Sequence, residues 1–202
     1  GPSIHEDTTM YPILEEYVKD VMTTFADDAR IALWDLYNEP GNSGYGNKSL
    51  PLLKKVFQWA REVNPSQPVS VGVWNDKLQD LNEYQLANSD VTTYHNYMAP
   101  DIHQKWIDSL KTYGRPMVCT EYMARTRSST FQNTMPMLEE EGIGAINWGL
   151  VSGKTNTIYA WDTSIEDGSE PELWFHDVFK KDGTPYSQEE VDLIRELSSK
   201  HQ

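Results

Sequence analysis

The stretch IALWDLYNEP, residues 31–40, decides the fold of this chain. Residues 31–37 are mostly apolar, as expected for a strand that is buried on both faces of a parallel sheet. The strand ends in Asn38-Glu39-Pro40, and a loop rich in glycine and asparagine follows at 41–47. A buried strand that stops at an amide and a carboxylate is typical of parallel βα folds, in which functional groups follow the carboxyl ends of strands.

Segments with helical and strand periodicity alternate on both sides of this stretch. Further short apolar strands are predicted at 68–74, 91–94, 116–120 and 144–148. Helices are predicted at 11–25, 50–63, 78–87, 101–113, 128–141, 173–179 and 188–200. This alternation predicts parallel βα units and therefore an α/β fold.

Composition narrows the classes of function. The chain has 202 residues, 38% of them hydrophobic, which indicates one domain or a large part of one. The formal net charge of −14 argues against nucleic acids and anionic lipid surfaces as partners. No apolar run is long enough to cross a membrane, and the single cysteine, Cys119, excludes an internal disulfide. Neither a nucleotide-binding glycine motif nor metal-ligand spacing is present, so no cofactor and no metal are expected.

Polar side chains suited to chemistry follow the predicted strands. If the strands are parallel, these groups gather at one end of the sheet. They are Asn38-Glu39, Trp74, His95 with Tyr97, Glu121 and Trp148. Two carboxylates at one such site are suited to cleavage of a glycosidic bond, where one group donates a proton and the other attacks.

At these residues the sequence resembles clan A glycoside hydrolases, most of all glycoside hydrolase family 5. WDLYNEP at 34–40 is similar to the motif of the fourth strand, and RPMVCTEY at 115–122 is similar to that of the seventh. His95-Asn96-Tyr97 resembles the His-x-Tyr element of the sixth strand, and Trp148 the tryptophan of the eighth. The resemblance implies a partial (β/α)8 TIM barrel, about five βα units of its carboxyl-terminal part, forming a single catalytic domain over residues 1–202.

The resemblance also implies a role for each residue. Glu39 is expected to be the acid/base and Glu121 the nucleophile. The expected substrate-binding residues are Asn38 at the sugar 2-hydroxyl, Tyr97 and His95 beside the nucleophile, Trp148 stacked on the sugar and, as a weaker candidate, Trp74. The loop amide Asn42 is a further weak candidate.

The implied activity is a retaining β-glycoside hydrolase that acts on a β-linked poly- or oligosaccharide by double displacement. Transglycosylation uses the same residues and remains open. The alternative is a catalytically incomplete barrel that serves as a carbohydrate-binding or interaction module. Under either reading, the expected partners of the chain are a β-linked carbohydrate and an amino-terminal barrel segment or a second copy. A secreted or periplasmic location is expected from the substrate class alone.

Overall fold

The computed structural model describes residues 3–163 and 167–200. The chain divides into two compact units, the first reaching Tyr94 and the second starting at His95. The expected single domain over residues 1–202 therefore stays a prediction. Every helix in the described part of the chain is too short or too polar to cross a bilayer.

The first unit alternates helices with short parallel strands. In order along the chain, these elements are α1 Tyr11–Thr24, β1 Trp34–Asp35, α2 Leu50–Val63, β2 Val69–Ser70 and α3 Gln79–Asn88. The parallel pairing of β1 with β2 places Trp34 opposite Val69 and Asp35 opposite Ser70. The next strand, β3 Thr92–His95, starts in this unit and joins it through a parallel bridge between Val73 and Tyr94.

Helix α2 supplies much of the core of this unit. Its apolar residues recur on one face, where Leu53, Phe57 and Trp59 are buried. The helix ends as the sequence predicts, because Asn64 takes a left-handed conformation at φ 56° and its N–H donates to the Ala60 carbonyl at 3.0 Å.

The second unit continues the same alternation. Its elements are α4 Pro100–Lys111, β4 Met117–Glu121, α5 Phe131–Glu140, β5 Gly144–Ala145 and α6 Gln188–Ser199. The parallel pairing of β4 with β5 places Val118 opposite Gly144 and Cys119 opposite Ala145. Each of the five strands found among the described residues overlaps the segment predicted for it.

The helix predicted at 173–179 is wrong. That segment is irregular, with a parallel bridge between Val151 and Phe179. The Phe175 N–H donates to the Ile158 carbonyl at 2.8 Å, and the His176 N–H donates to the Thr157 carbonyl at 3.0 Å. Because these donors are taken by the loop after β5, they are not available for the i→i−4 bonds of a helix.

Candidate active site

Glu121 is the last residue of β4, the longest strand in the described part of the chain. Successive side chains of a strand point to opposite faces, and Met117, Cys119 and Glu121 lie on the buried face of β4. Glu121 is consequently only 9% exposed. A carboxylate at this depth needs hydrogen-bond donors around it.

Two side chains from the end of β3 supply polar contacts to Glu121. The Tyr97 hydroxyl donates to Glu121 Oε2 at 2.6 Å, and His95 Nδ1 lies 3.3 Å from the same oxygen. The N–H of Asn96, between them, donates to the Glu121 backbone carbonyl at 2.9 Å and so fixes the two segments against each other. Bonds donated to a carboxylate stabilise its charged form, which is the form that a nucleophile requires.

Glu39 has quite different surroundings in the first unit. It follows the short strand β1, is half-buried, and has a left-handed backbone at φ 46°. Such a conformation is uncommon for a non-glycine residue and is often found at functional sites. The Asn42 side-chain amide donates to Glu39 Oε2 at 2.5 Å, and the Asn42 backbone N–H donates to the Glu39 carbonyl at 3.1 Å.

The turn after Glu39 requires a glycine. Gly41 has φ 86°, and a Cβ at this position would lie 2.7 Å from Leu81 Cδ1. Its N–H donates to the buried Ser49 hydroxyl at 3.0 Å. The Trp74 indole N–H donates to the Pro40 carbonyl at 3.0 Å. Trp74 therefore helps to hold the loop that carries Glu39.

Trp148 lies just beyond β5 and is 49% exposed. The next residue, Gly149, has φ 91°, and a Cβ there would lie 2.8 Å from Asp177 Oδ1. The Asn147 amide donates to the Gly149 carbonyl at 2.6 Å. The backbone on either side of Trp148 is thus tightly constrained, while its indole is open to solvent.

Each unit brings part of the predicted site together. In the first, Asn38, Glu39 and Trp74 belong to neighbouring segments, and Asn38 is exposed. In the second, His95, Tyr97 and Glu121 form one hydrogen-bonded group.

Sequence analysis missed an aromatic cluster beside Tyr97. The Tyr97 ring centroid lies 4.9 Å from that of Trp161 and 5.5 Å from that of His176. His176 is buried, and burial lowers its pKa to about 4, although the bond to the Met123 carbonyl opposes the shift. Trp161 lies in a stretch without helical or strand periodicity, and His176 lies in the segment predicted as a helix. No local pattern therefore indicated that either residue belongs to this cluster.

Sequence analysis also missed a buried ion pair in the second unit. Arg125, four residues beyond Glu121, donates to Glu190 of α6 from Nε at 3.0 Å and from Nη2 at 2.6 Å. It also donates to the Trp174 carbonyl at 3.0 Å and to the Asp177 carbonyl at 3.1 Å. One guanidinium thus ties the segment after β4 to α6 and to the irregular segment.

Comparison with known families and structures agrees with the clan A resemblance. The profile of the family described as "Glycosyl hydrolases family 2, TIM barrel domain" matches residues 3–149. Families 2, 5 and 10, which the similar structures represent, all belong to clan A. A search of the curated proteins finds no match.

Three solved structures illustrate the likeness of fold. A β-D-glucuronidase for Dictyoglomus thermophilum has a TM-score of 0.65 at 11% identity, covering 95% of this chain and 36% of that one. A family 5 protein from Streptomyces cattleya, in complex with GlcNAc, has a TM-score of 0.65 at 11% identity, covering 100% and 57%. A family 10 endo-β-1,4-xylanase from Gloeophyllum trabeum has a TM-score of 0.60 at 14% identity, covering 96% and 70%. The chain thus has the TIM-barrel fold and spans between about a third and 70% of these proteins.

Proposed function

Because this chain belongs to the family described as "Glycosyl hydrolases family 2, TIM barrel domain", we propose that it is a retaining glycoside hydrolase that cleaves a β-linked poly- or oligosaccharide. Family membership establishes a hydrolase of glycosidic bonds as the class. The retaining course, the β-linkage and the residue roles are the proposal.

The proposed reaction is a double displacement. The Glu121 carboxylate attacks the anomeric carbon and forms a covalent glycosyl-enzyme, while Glu39 gives its proton to the departing oxygen. Glu39 then takes a proton from a water molecule, which attacks the anomeric carbon and releases Glu121. The sugar is released with the anomeric configuration that it had in the substrate, because the carbon is inverted twice.

The observation that carries this proposal is the pair of polar contacts to Glu121 Oε2, from Tyr97 at 2.6 Å and His95 at 3.3 Å. A nucleophile benefits from bonds that stabilise its charged form. The contacts therefore support Glu121 as the nucleophile, which leaves Glu39 as the acid/base of the pair. The same contacts hold the carboxylate in one orientation, which an in-line attack requires.

The similar structures support a β-linked substrate. They include an endo-β-1,4-xylanase and a β-D-glucuronidase, both of which act on β-linked sugars. We also propose a secreted or periplasmic location, because polysaccharide substrates are found outside the cytoplasm.

The test uses 2,4-dinitrophenyl β-glycosides of glucose, mannose, xylose and glucuronic acid. Glu121→Ala and Glu39→Ala are both expected to lower kcat/KM by about 10⁴-fold on unactivated oligosaccharides. Azide should rescue them with different products: an α-glycosyl azide from Glu121→Ala and a β-glycosyl azide from Glu39→Ala. Glu83→Ala, which removes an exposed carboxylate of α3, is the matched control and should leave the rate unchanged.

Proton NMR of the first product completes the test. The β-anomer should appear first and the α-anomer only later by mutarotation. If the α-anomer appears first, the retaining mechanism is wrong. If oligosaccharides bind to the parent protein and none of the substrates is hydrolysed, the non-catalytic carbohydrate-binding module replaces the enzyme as the function.

A further inference from the structure

Trp161 is a large exposed ring that is held from behind by other aromatic rings. Its centroid lies 4.9 Å from Tyr97, 4.7 Å from Phe175 and 5.6 Å from His176. Phe175 and His176 are buried, whereas Trp161 is 60% exposed. The indole is therefore packed against other aromatic rings and yet largely exposed.

The loop backbone three to four residues before Trp161 is held by hydrogen bonds. The Ile158 and Thr157 carbonyls accept bonds from the buried irregular segment, at 2.8 and 3.0 Å. The Thr157 hydroxyl donates to the Asp177 carboxylate, 2.9 Å from Oδ1 and 2.8 Å from Oδ2. A ring whose position is already fixed loses little conformational entropy when a ligand packs against it.

The position of Trp161 relates it to the proposed nucleophile. Tyr97 contacts the indole with its ring and donates to Glu121 Oε2 with its hydroxyl. One side chain thus connects the exposed ring to the carboxylate that would attack the sugar. A ligand that reaches Glu121 is consequently brought close to Trp161.

Polar groups border the indole. The Arg127 guanidinium lies over the ring, 5.7 Å from its centroid, and Arg127 Nη2 lies 3.3 Å from Asp162 Oδ2. An aromatic face attracts the partially positive C–H bonds of a pyranose, while a guanidinium donates to hydroxyls and a carboxylate accepts from them. The indole and the charged pair next to it thus offer apolar and polar contacts to the two kinds of surface of a sugar ring.

We propose that Trp161 is a stacking platform for one pyranose unit of the substrate, beside the Tyr97–Glu121 pair. The proposal rests on the proposed function and adds to it, because Trp161 lies outside residues 3–149, which the family profile matches. Trp161 lies in the loop that follows Trp148, so it would be a second stacking residue in addition to the one expected at Trp148.

The first experiment measures affinity and turnover separately. Cellotetraose, mannotetraose and xylotetraose are titrated calorimetrically into Glu121→Gln protein and into the same protein with Trp161→Ala added. KM and kcat are measured for Trp161→Ala in protein that keeps Glu121. Trp161→Ala is expected to weaken binding and raise KM by about 10-fold. Trp161→Phe should restore most of the affinity. Tyr113→Ala, which removes another exposed aromatic ring of the second unit, is the matched control and should bind as the parent does.

The second experiment detects the ring directly and needs no turnover. N-bromosuccinimide should oxidise Trp161 faster than the buried Trp59 and Trp174, and the bound oligosaccharide should protect it, as peptide mass spectrometry would show. If the parent binds and hydrolyses sugar while Trp161→Ala changes neither KM nor affinity beyond 2-fold, the platform is wrong and the proposed function stands. If the parent neither binds nor hydrolyses any of the sugars, the proposed function fails and the platform fails with it.

Discussion

The surroundings of Glu121 and of Glu39 differ in almost every physical respect. Glu121 ends a five-residue strand, is nearly buried, and has polar contacts from Tyr97 and His95. Glu39 follows a two-residue strand, has a left-handed backbone, and is held by Asn42, a neighbour in its own loop. Contacts from a neighbouring strand thus help to position Glu121, whereas a bond within its own loop contributes to the position of Glu39.

The difference fits two chemical tasks. A nucleophile works from one fixed position with its charge stabilised, so a rigid and buried setting suits it. An acid/base exchanges protons with a leaving group and with water, so a half-exposed loop suits it. We therefore expect the Glu121 region to depend on buried contacts and the Glu39 region not to depend on them.

The largest effect is expected at the ion pair of Arg125 with Glu190. Both side chains are about 95% buried, so Arg125→Met would leave a buried carboxylate uncompensated. We expect the free energy of unfolding in urea to fall by about 3–5 kcal/mol.

The first unit offers a matched control for this ion pair. Arg61 makes a similar two-pronged pair with Asp90 and bonds the Asn88 carbonyl, but the pair is exposed. Arg61→Met should lower the free energy of unfolding by at most about 1 kcal/mol. Equal losses in the two variants would contradict the contrast between a buried and an open region.

The next effect concerns the hydrogen bonds to the two carboxylates. Tyr97→Phe removes the donor at 2.6 Å from Glu121 and should lower kcat/KM by about 10- to 100-fold, since a bond to a charged group contributes about 1.5–3 kcal/mol. Asn42→Ala removes the exposed amide donor to Glu39 and should cost only about 3-fold. The kcat/KM of both variants is measured on the same β-glycoside. A larger loss of kcat/KM in Asn42→Ala than in Tyr97→Phe would contradict the view that Glu121 is the more rigidly held carboxylate.

A further effect is a pH dependence of stability in the second unit. Burial lowers the pKa of His103, which contacts Cys119 of β4, from 6.5 to about 4. In the unfolded chain, His103 thus binds a proton near pH 6.5, whereas in the folded chain it binds one only near pH 4. The free energy of unfolding should therefore fall by about 2 kcal/mol between pH 7 and pH 5 through His103 alone.

His103→Gln isolates that contribution. The variant should be less stable than the parent at pH 7, while its further loss between pH 7 and pH 5 should be about 2 kcal/mol smaller. Urea unfolding followed by tryptophan fluorescence at the two pH values measures both quantities. If parent and variant lose the same free energy over this range, His103 does not remain neutral in the folded protein.

Local patterns predicted the elements well where a single stretch of chain contains its own signal. Helix α2 has the predicted bounds of 50–63, because its apolar spacing and the Asn64-Pro65 stop are both local. Glu121 could be placed at a strand end for the same reason. The segment 173–179 was mistaken for a helix, because its apolar spacing resembles one while its donors are taken by residues 157–158.

Short contiguous motifs were enough to predict the parallel βα alternation, the two candidate carboxylates at strand ends and the likeness to clan A glycoside hydrolases. Three other contacts exist only in the folded chain: Tyr97 bonds Glu121, Arg125 pairs with Glu190, and Trp161 packs on Tyr97. These pairs are 24, 65 and 64 residues apart in the sequence. Side chains so far apart meet only because the chain between them has folded, so no periodicity in the sequence records the contact.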